Sequence, residues 1–284
     1  MKLNLDVPNL NPLTSTANYF GKFPEDGGLM VGGTCFEYCM QYRTDPEALS
    51  ELMVEPYTVG DDPIVTVLYS WFEGNALLQY KDYPNGDYAI SVVGGNCKFD
   101  GKKDHITGIY NFIMPENNNY CVLMGRDHGG APKIFTDIPR AFMLSNGHTI
   151  CEPRAWTYDE KGEATWKTLY RVDFGPFTKA DDATAKLWET TLNNTLILQY
   201  KFVPGNWNGA EVSYAMKTSY FREIDELYVA DTAEFTLGTE LNKRSQVLEN
   251  RLLDAFRTLP VKELVAAVHW KGRIWLGAEG GPLE

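Results

Sequence analysis

The chain has 284 residues, of which 44% are hydrophobic and 23% charged, so it can bury a core without disulfides or a structural metal. Its 38 acidic residues outnumber its 26 lysines and arginines and give a net charge of −12, which argues against nucleic acid or an anionic membrane as a partner. Because the sequence has no repeats, low-complexity linker or break in composition, it predicts one domain over residues 1–284, with residues 1–31 as an N-terminal extension.

Residues 1–11 are polar and lack the basic and apolar segments of a signal peptide. No run of about 18 apolar residues predicts a transmembrane helix. We therefore expect a cytoplasmic protein whose five cysteines stay reduced. Cys35 and Cys39 lie four residues apart, but no second Cys or His pair at ligand spacing accompanies them, so we predict no metal site.

The sequence predicts three helices. Asp45 followed by Pro46 is a favourable N-cap with a favourable first helical residue, and it predicts a helix over residues 46–53. A second helix is predicted over residues 181–193. The third and longest, over residues 242–258, has apolar residues at helical spacing, which indicates packing against the core.

Most of the remaining sequence predicts strands. These segments are apolar, β-branched or aromatic and are separated by turns rich in Gly, Asn, Asp and Pro. The predicted strands cover residues 64–72, 88–93, 106–114, 120–124, 196–203, 212–221, 227–237 and 265–276. Many strands with few helices favour an antiparallel sheet that closes or folds over itself.

The segment from Gly125 to Lys133, with sequence GRDHGGAPK, stands apart from the rest. Three glycines and a proline predict an unusual, rigid loop after a strand that ends at Met124. The main chain would then hold Lys133 in place. The alternative is an ordinary surface loop with an exposed lysine.

The pattern Gly-Arg-Asp, four residues and Pro-Lys resembles the Gly-Arg-Glu, four residues and Pro-Lys signature of the acetoacetate decarboxylase superfamily. Residues 42–49 (YRTDPEAL), continuing to Glu55-Pro56, resemble that family's first helix and its flanks. Residues 259–265 (LPVKELV), with His269 beyond them, resemble its C-terminal segment, and the hairpin over residues 200–215 fits more loosely. The resemblance spans about Gly32 to Leu276.

This resemblance implies an α+β fold, mostly antiparallel β, built as a closed or cone-like β-barrel with a few flanking helices. It implies that Lys133 forms a Schiff base with the ketone of a small-molecule keto substrate, and that the chain forms homo-oligomers. The reaction needs a neutral amine, whereas an unperturbed lysine has a pKa of about 10.4. Because the protonated imine itself accepts the electrons released from the broken bond, no cofactor is expected.

Four positions depart from the family's pattern. Ile134 replaces a second lysine, so desolvation is the expected way to keep the amine neutral. Ala131 replaces a common aromatic residue and would enlarge the pocket. Cys35 and Leu68 lie near the sequence positions at which the family has an arginine and a glutamate. These departures predict a larger keto acid or a polyketide-like ketone rather than acetoacetate.

The remaining candidates each have a functional and a structural interpretation. Asp82 is the candidate acid/base group implied by the resemblance, or a plain loop carboxylate. Arg126 could bind a carboxylate or brace its loop, and His128 could exchange protons in the substrate site or be a simple loop residue. Glu116 is expected on a turn, in solvent. The predicted substrate-binding set is Arg126, His128, Ala131, Ile134 and Leu68, with Lys133 and Asp82 as catalytic residues.

The favoured function is a Schiff-base-forming lyase that decarboxylates its substrate through a Lys133 imine. One alternative is an aldolase-dehydratase or cyclase on the same scaffold, because the same iminium and enamine support those reactions. A second alternative is a non-catalytic protein that binds a small molecule in the same pocket.

Overall fold

The computed structural model describes residues 34–73, 88–159, 161–204, 210–239, 241 and 247–284. The strands of this part of the chain are β1 (Thr34–Arg43), β2 (Tyr57–Val59), β3 (Ile64–Glu73), β4 (Tyr88–Asp100), β5 (His105–Glu116), β6 (Lys133–Phe135), β7 (Phe142–Met143), β8 (Thr149–Cys151), β9 (Arg154–Tyr158), β10 (Ala164–Thr168), β11 (Tyr170–Phe174), β12 (Thr178–Lys179), β13 (Leu196–Pro204), β14 (Ala210–Val229), β15 (Ala233–Leu237) and β16 (Glu263–Pro282). Its helices are α1 (Pro46–Ser50), α2 (Asn119–Gly129), α3 (Asp182–Asn193) and α4 (Val247–Arg257).

The largest sheet is ring-like. Its pairings run β4–β3–β1–β16–β14–β13–β5, and β5 also pairs with β4, so the sequence of pairings returns to its start. Most of these pairs are antiparallel, whereas β5 pairs in parallel with both β13 and β6. The predicted α+β fold, mostly antiparallel β with few helices, is therefore confirmed, with a ring-like main sheet.

Both faces of the central strands are buried. On β1 one face carries Tyr38, Met40 and Tyr42, which pack in a large apolar cluster with β3, β8, β11 and α4. We call this the core face. Because successive side chains alternate across a strand, Glu37 and Cys39 lie on the opposite face of β1. A four-stranded sheet in the order β15-β11-β8-β7 contributes to the core-face cluster.

We call the opposite face the site face, and contacts between neighbouring strands trace it around the sheet. Glu37 accepts hydrogen bonds from Ser70 of β3 and Trp270 of β16. Phe72, two residues beyond Ser70, stacks on Tyr88 of β4 with ring centroids 5.1 Å apart. The site face is thus one surface shared by strands that are far apart in the sequence.

The three predicted helices are present with small differences in their bounds. Asp45 and Asp181 cap α1 and α3, each accepting hydrogen bonds from backbone N–H groups of the first turn. The start predicted for the third helix, residues 242–246, lies outside the described residues, and α4 begins at Val247. Its Leu253 and Phe256 are buried in the core-face cluster, as the apolar spacing predicted.

The prediction of a strand over residues 120–124 followed by a rigid loop was wrong. These residues and the first five residues of the glycine-rich segment, 125–129, form α2, which runs from Asn119 to Gly129. Asn118 caps the first turn by accepting from Cys121 N–H. Gly130, at φ 60°, ends the helix in the left-handed conformation that glycine favours. A short apolar run fits a buried strand and a helical turn equally well, and the two caps decide for the helix.

The strand predicted over residues 227–237 is interrupted. Residues up to Val229 complete β14 in the ring-like sheet, and Ala233 begins β15 in the four-stranded sheet. The middle of the hairpin over residues 200–215 lies outside the described residues, since residues 205–209 are not among them. In the described part of the chain, no helix is long and apolar enough to span a membrane.

His269 gives the core face a pH-sensitive contact. Its ring stacks on Tyr38 with centroids 4.1 Å apart, and its Nδ1 lies 3.1 Å from the carbonyl oxygen of Glu37. Burial lowers the pKa of His269 below its usual 6.5. The unfolded chain therefore takes up a proton at a higher pH than the folded chain does, and stability falls as the pH falls below about 6.5.

We expect His269→Phe to lose less stability than the wild type between pH 7.5 and pH 5.5. The phenylalanine keeps the stacking surface but has no proton to gain. Urea unfolding of both proteins at the two pH values measures the difference. Equal losses on acidification would contradict this role of His269.

Candidate active site

The site is built around Lys133, the first residue of β6. This strand pairs in parallel with the end of β5, which places Lys133 beside Met114. Only about a tenth of the lysine side chain is exposed, at 10%. Lysine is rarely buried without a charged partner, so a partner is expected close to Lys133.

Glu116, the last residue of β5, is that partner. Its Oε1 lies 2.5 Å from Lys133 Nζ and accepts a hydrogen bond of 2.6 Å from the hydroxyl of Tyr88. The expectation that Glu116 lies in solvent on a turn was wrong, because its side chain is completely buried. The strand continues through Pro115 to Glu116, so the carboxylate stays in the sheet instead of turning outward.

Burial raises the pKa of Glu116, while the ammonium of Lys133 and the hydrogen bonds from Lys133 and Tyr88 oppose this rise. Its second oxygen, Oε2, is buried and has no hydrogen-bond partner among the described residues. A buried carboxylate oxygen without a partner is costly. It is also free to bind a proton or a polar group of a ligand.

Helix α2 lies over the lysine and shapes its position. Lys133 Nζ donates a hydrogen bond of 3.2 Å to the carbonyl of Cys121, in the first turn of the helix. One turn later, Gly125 faces the lysine: a Cβ there would lie 2.2 Å from Cε and 2.6 Å from Nζ. The glycine of the Gly-Arg motif thus leaves room for the Lys133 side chain.

A second lysine approaches the other end of α2. Lys201 of β13 is almost completely buried and donates a hydrogen bond of 3.3 Å to the carbonyl of Arg126. Gly130 lies against its backbone, since a Cβ there would be 2.8 Å from Lys201 Cα. The helix is therefore held between two buried lysines.

An apolar wall stands beside the charged pair. Ala131, Val92 and Met114 are buried together, and Leu68 and Ile90 pack against them. The structure thus places Ala131 and Leu68, both predicted to bind substrate, close to one another. Ile134 follows Lys133 on the strand and packs instead against the core-face cluster. Adjacent residues of a strand point to opposite faces, so Ile134 does not share the surroundings of Lys133.

The remaining predicted site residues are Arg126, His128 and Asp82. The side chain of Arg126 is exposed, and its main-chain carbonyl makes the contact with Lys201. His128 lies in α2, but its side chain is outside the described part of the structure. Asp82 lies in the segment 74–87, which is outside the described residues.

The site face carries further charge that the sequence patterns did not identify. The buried charged residues of the described chain are Glu37, Glu116, Lys133, Lys201 and Arg222. Arg222 of β14 alternates with the exposed Phe221 and Glu223, which places it on the same side as Tyr220. Tyr220 packs in the apolar cluster that contains Cys35, Tyr88 and Cys121.

The surroundings of the five cysteines bear on metal binding and on reactivity. All five are buried and free, and no group of three or more His, Cys, Asp or Glu side chains suited to a metal occurs in the described ranges. Burial raises the pKa of Cys97 and of Cys121 to about 12. These two thiols are therefore protonated at neutral pH and are poor metal ligands or nucleophiles.

The structure is thus a mostly antiparallel, ring-like sheet with a buried lysine–glutamate pair on one face. The sequence model of acetoacetate decarboxylase (ADC) matches residues 33–279, and the chain belongs to this family. No curated protein matches the sequence.

Solved structures share the fold at low sequence identity. The acetoacetate decarboxylase of Legionella pneumophila is 15% identical, with a TM-score of 0.67 over 95% of this chain and 92% of that one. An acetoacetate decarboxylase-like enzyme from Sphingomonas wittichii is 16% identical, with a TM-score of 0.65 over 94% and 98%. The enduracididine biosynthesis enzyme MppR, complexed with pyruvate, is 12% identical, with a TM-score of 0.63 over 94% and 93%.

The ion pair makes a testable prediction about stability. Glu116→Gln leaves the buried ammonium of Lys133 without a counter-charge, and we expect a loss of about 3 kcal/mol in the free energy of unfolding. Lys133→Met leaves the buried carboxylate unpaired and should also destabilise the protein. The double variant should lose clearly less than the sum of the two single losses, as measured by urea unfolding.

A matched control is the exposed pair of Arg273 and Glu223, which are joined by a salt bridge of 2.7 Å. Its double-mutant cycle should show a much smaller coupling, because solvent screens exposed ion pairs. Additive losses at Glu116 and Lys133 would contradict a direct interaction between them.

Proposed function

We propose that this protein is a Schiff-base-forming lyase in which Lys133 attacks the ketone of a small-molecule keto substrate. The observation that carries the proposal is the buried Lys133–Glu116 pair beside an apolar wall. Membership of the acetoacetate decarboxylase family supports an enzyme. The reaction itself is inferred from the residues at the site.

Glu116 is proposed to make the amine reactive. A lysine attacks a carbonyl only in its neutral form. Burial raises the pKa of Glu116, which makes its carboxylate a stronger base than an exposed one and suits it to accept the ammonium proton across the 2.5 Å contact. Tyr88 fixes the carboxylate in place through its hydroxyl.

The proposed steps balance without a cofactor. The neutral amine adds to the ketone carbon, and the carbinolamine loses water as Glu116 returns a proton, leaving an iminium ion. Loss of CO2 from a β-keto acid sends the electrons of the broken carbon–carbon bond into the iminium and gives an enamine. Protonation of the enamine carbon and hydrolysis by water then release the product ketone and restore the amine.

The apolar wall favours the decarboxylation step. A carboxylate becomes neutral CO2 as it leaves, so an apolar environment disfavours the starting anion more than the transition state. Ala131, Val92 and Met114 provide such an environment next to Lys133. Asp82 remains a proposed further acid/base group on the strength of the sequence resemblance alone.

A second candidate is an aldolase-dehydratase on the same scaffold. MppR is described in complex with pyruvate and with the condensation product of pyruvate and imidazole 4-carboxaldehyde. The same Lys133 enamine could add to an aldehyde instead of taking up a proton. The buried cation Arg222 favours this candidate, because a guanidinium stabilises a carboxylate that the product keeps.

Borohydride reduction tests the proposal. The protein is incubated with pyruvate or with larger 2-oxo and 3-oxo acids, reduced, and mapped by mass spectrometry. We expect an adduct on Lys133 that is absent from Lys133→Met and unchanged in Lys186→Met, which removes an exposed lysine of α3. Glu116→Gln should slow adduct formation by about a hundredfold or more, because proton transfer is lost.

The absence of an adduct on Lys133 with every ketone tried would favour the non-catalytic binding protein. With the adduct established, CO2 release from 3-oxo acids identifies a decarboxylase. Condensation of a 2-oxo acid with an aldehyde identifies the second candidate.

A further inference from the structure

Arg222 is a buried cation that the proposed reaction does not yet use. Only 5% of it is exposed, on the site face of β14. Its Nη1 donates to the carbonyl of Leu192 at 3.0 Å, and the guanidinium carbon lies 5.6 Å from the ring centroid of Tyr220. Its Nε is buried and has no hydrogen-bond partner among the described residues.

No carboxylate of the described residues pairs with this guanidinium. Glu37, on the same face, accepts from Ser70 at 2.7 Å on one oxygen and from Trp270 at 3.0 Å on the other. Glu189 of α3 pairs with Lys186 and accepts from the backbone of Ile224. A buried cation without an anion is costly to the fold, which indicates that the position has another use.

The end of α3 holds Arg222 rigidly. Asn193 accepts from the backbone N–H of Arg222 at 2.7 Å and donates to its carbonyl at 3.0 Å. Together with the bond to Leu192, these contacts fix both the main chain and the side chain. A preorganised guanidinium binds a carboxylate without losing further side-chain freedom.

Arg222 and Lys133 border the same region. Leu192, which accepts from Arg222, and Cys121, which accepts from Lys133, belong to one apolar cluster against which Tyr220 packs. Burial raises the pKa of Tyr220, and the positive charges of Lys133 and Arg222 both oppose this rise. Tyr220 is therefore within electrostatic range of both cations.

We propose that Arg222 binds the carboxylate of the keto acid whose ketone reacts with Lys133. This assignment rests on the proposed function for the reacting ketone, although carboxylate binding itself needs no reaction. The open Nε and the planar guanidinium offer the directed hydrogen bonds that a carboxylate accepts. The substrate class is a keto acid anion, held at the carboxylate by Arg222 and at the ketone by Lys133.

The same contact indicates which carboxylate is bound. A guanidinium stabilises a carboxylate anion more than the neutral CO2 that it would become, so it opposes loss of the group it holds. Arg222 therefore suits a carboxylate that the product retains. This fits condensation of a 2-oxo acid, or decarboxylation of a diacid at its other carboxylate.

Calorimetry on Lys133→Met measures carboxylate binding by Arg222 in a variant that cannot form the Schiff base. The probes are 2-oxohexanoate and its neutral amide, 2-oxohexanamide. We expect the acid to bind at least about tenfold more tightly than the amide, the gain typical of a charge-assisted hydrogen bond. Adding Arg222→Gln should bring the two affinities within about twofold.

Adding Arg273→Gln instead removes an arginine of the neighbouring strand β16 that is paired with Glu223 at the surface, and should leave the preference unchanged. If Arg222→Gln does not fold, Arg222→Lys is measured instead. Lysine keeps the positive charge but lacks the planar set of guanidinium donors, so the preference for the acid over the amide should fall at least about threefold.

A folded Arg222→Gln or Arg222→Lys variant that keeps the full preference for the acid would overturn the proposal, and so would equal binding of acid and amide to Lys133→Met. Arg222 would then serve only to cap the end of α3. The two experiments can fail independently of each other. If borohydride reduction gives no adduct on Lys133, the proposed function is overturned, while calorimetry still decides the role of Arg222.

Discussion

The contact between Lys133 and Glu116 inside the sheet constrains the surrounding structure. Two ions removed from water cost several kcal/mol each, and their attraction repays this cost only with close geometry and further hydrogen bonds. The parallel pairing of β5 with β6 brings the two residues together. Tyr88 binds the carboxylate, and the carbonyl of Cys121 binds the ammonium. The Gly-Arg motif then has a structural reason, because Gly125 leaves the space that the lysine side chain fills.

Burial of both faces of the central strands makes such a site possible. The core face supplies the apolar packing that stabilises the domain, so the site face can carry polar groups. Among the residues that the structure describes, its buried charged residues are two glutamates, two lysines and one arginine, in a protein whose formal net charge is −12. Under the proposed function, the net charge of the whole protein repels an anionic keto acid, whereas Lys133 and Arg222 attract it at the site. Local charge decides the binding, because it acts at short range in a poorly hydrated environment.

Strong periodic patterns and capping residues predicted much of the fold. The Asp45 cap and the apolar spacing of residues 247–256 correctly predicted the first and third helices. The second helix, predicted over residues 181–193, is also present, and the structure shows that Asp181 caps it. The apolar segment over residues 120–124 was wrongly predicted as a strand, because five residues are too few to distinguish a strand from a helix. The short strands between residues 142 and 179 escaped prediction because each has at most five residues, too few to show a clear periodicity. They are also divided among three sheets: β7, β8 and β11 lie in the four-stranded sheet, β9 and β10 pair with each other, and β12 pairs with β14.

The buried lysine of the candidate site could be found from the sequence, whereas its partners could not. Lys133 was found because a sequence motif surrounds it. Glu116 was expected in solvent, since nothing in one sequence shows that the end of a strand is covered. Arg222 gave no signal, because the predicted strand over residues 212–221 ends one residue before it. The desolvation expected at Lys133 is present, but a carboxylate accompanies it.

The most direct test of this account is a crystal structure of the protein after reduction with borohydride in the presence of a 2-oxo acid. The account predicts continuous density from Lys133 Nζ to the ligand on the site face, with Glu116 still beside the nitrogen and the ligand carboxylate directed at Arg222. A ligand attached elsewhere, or a Lys133 side chain turned out to solvent, would contradict it.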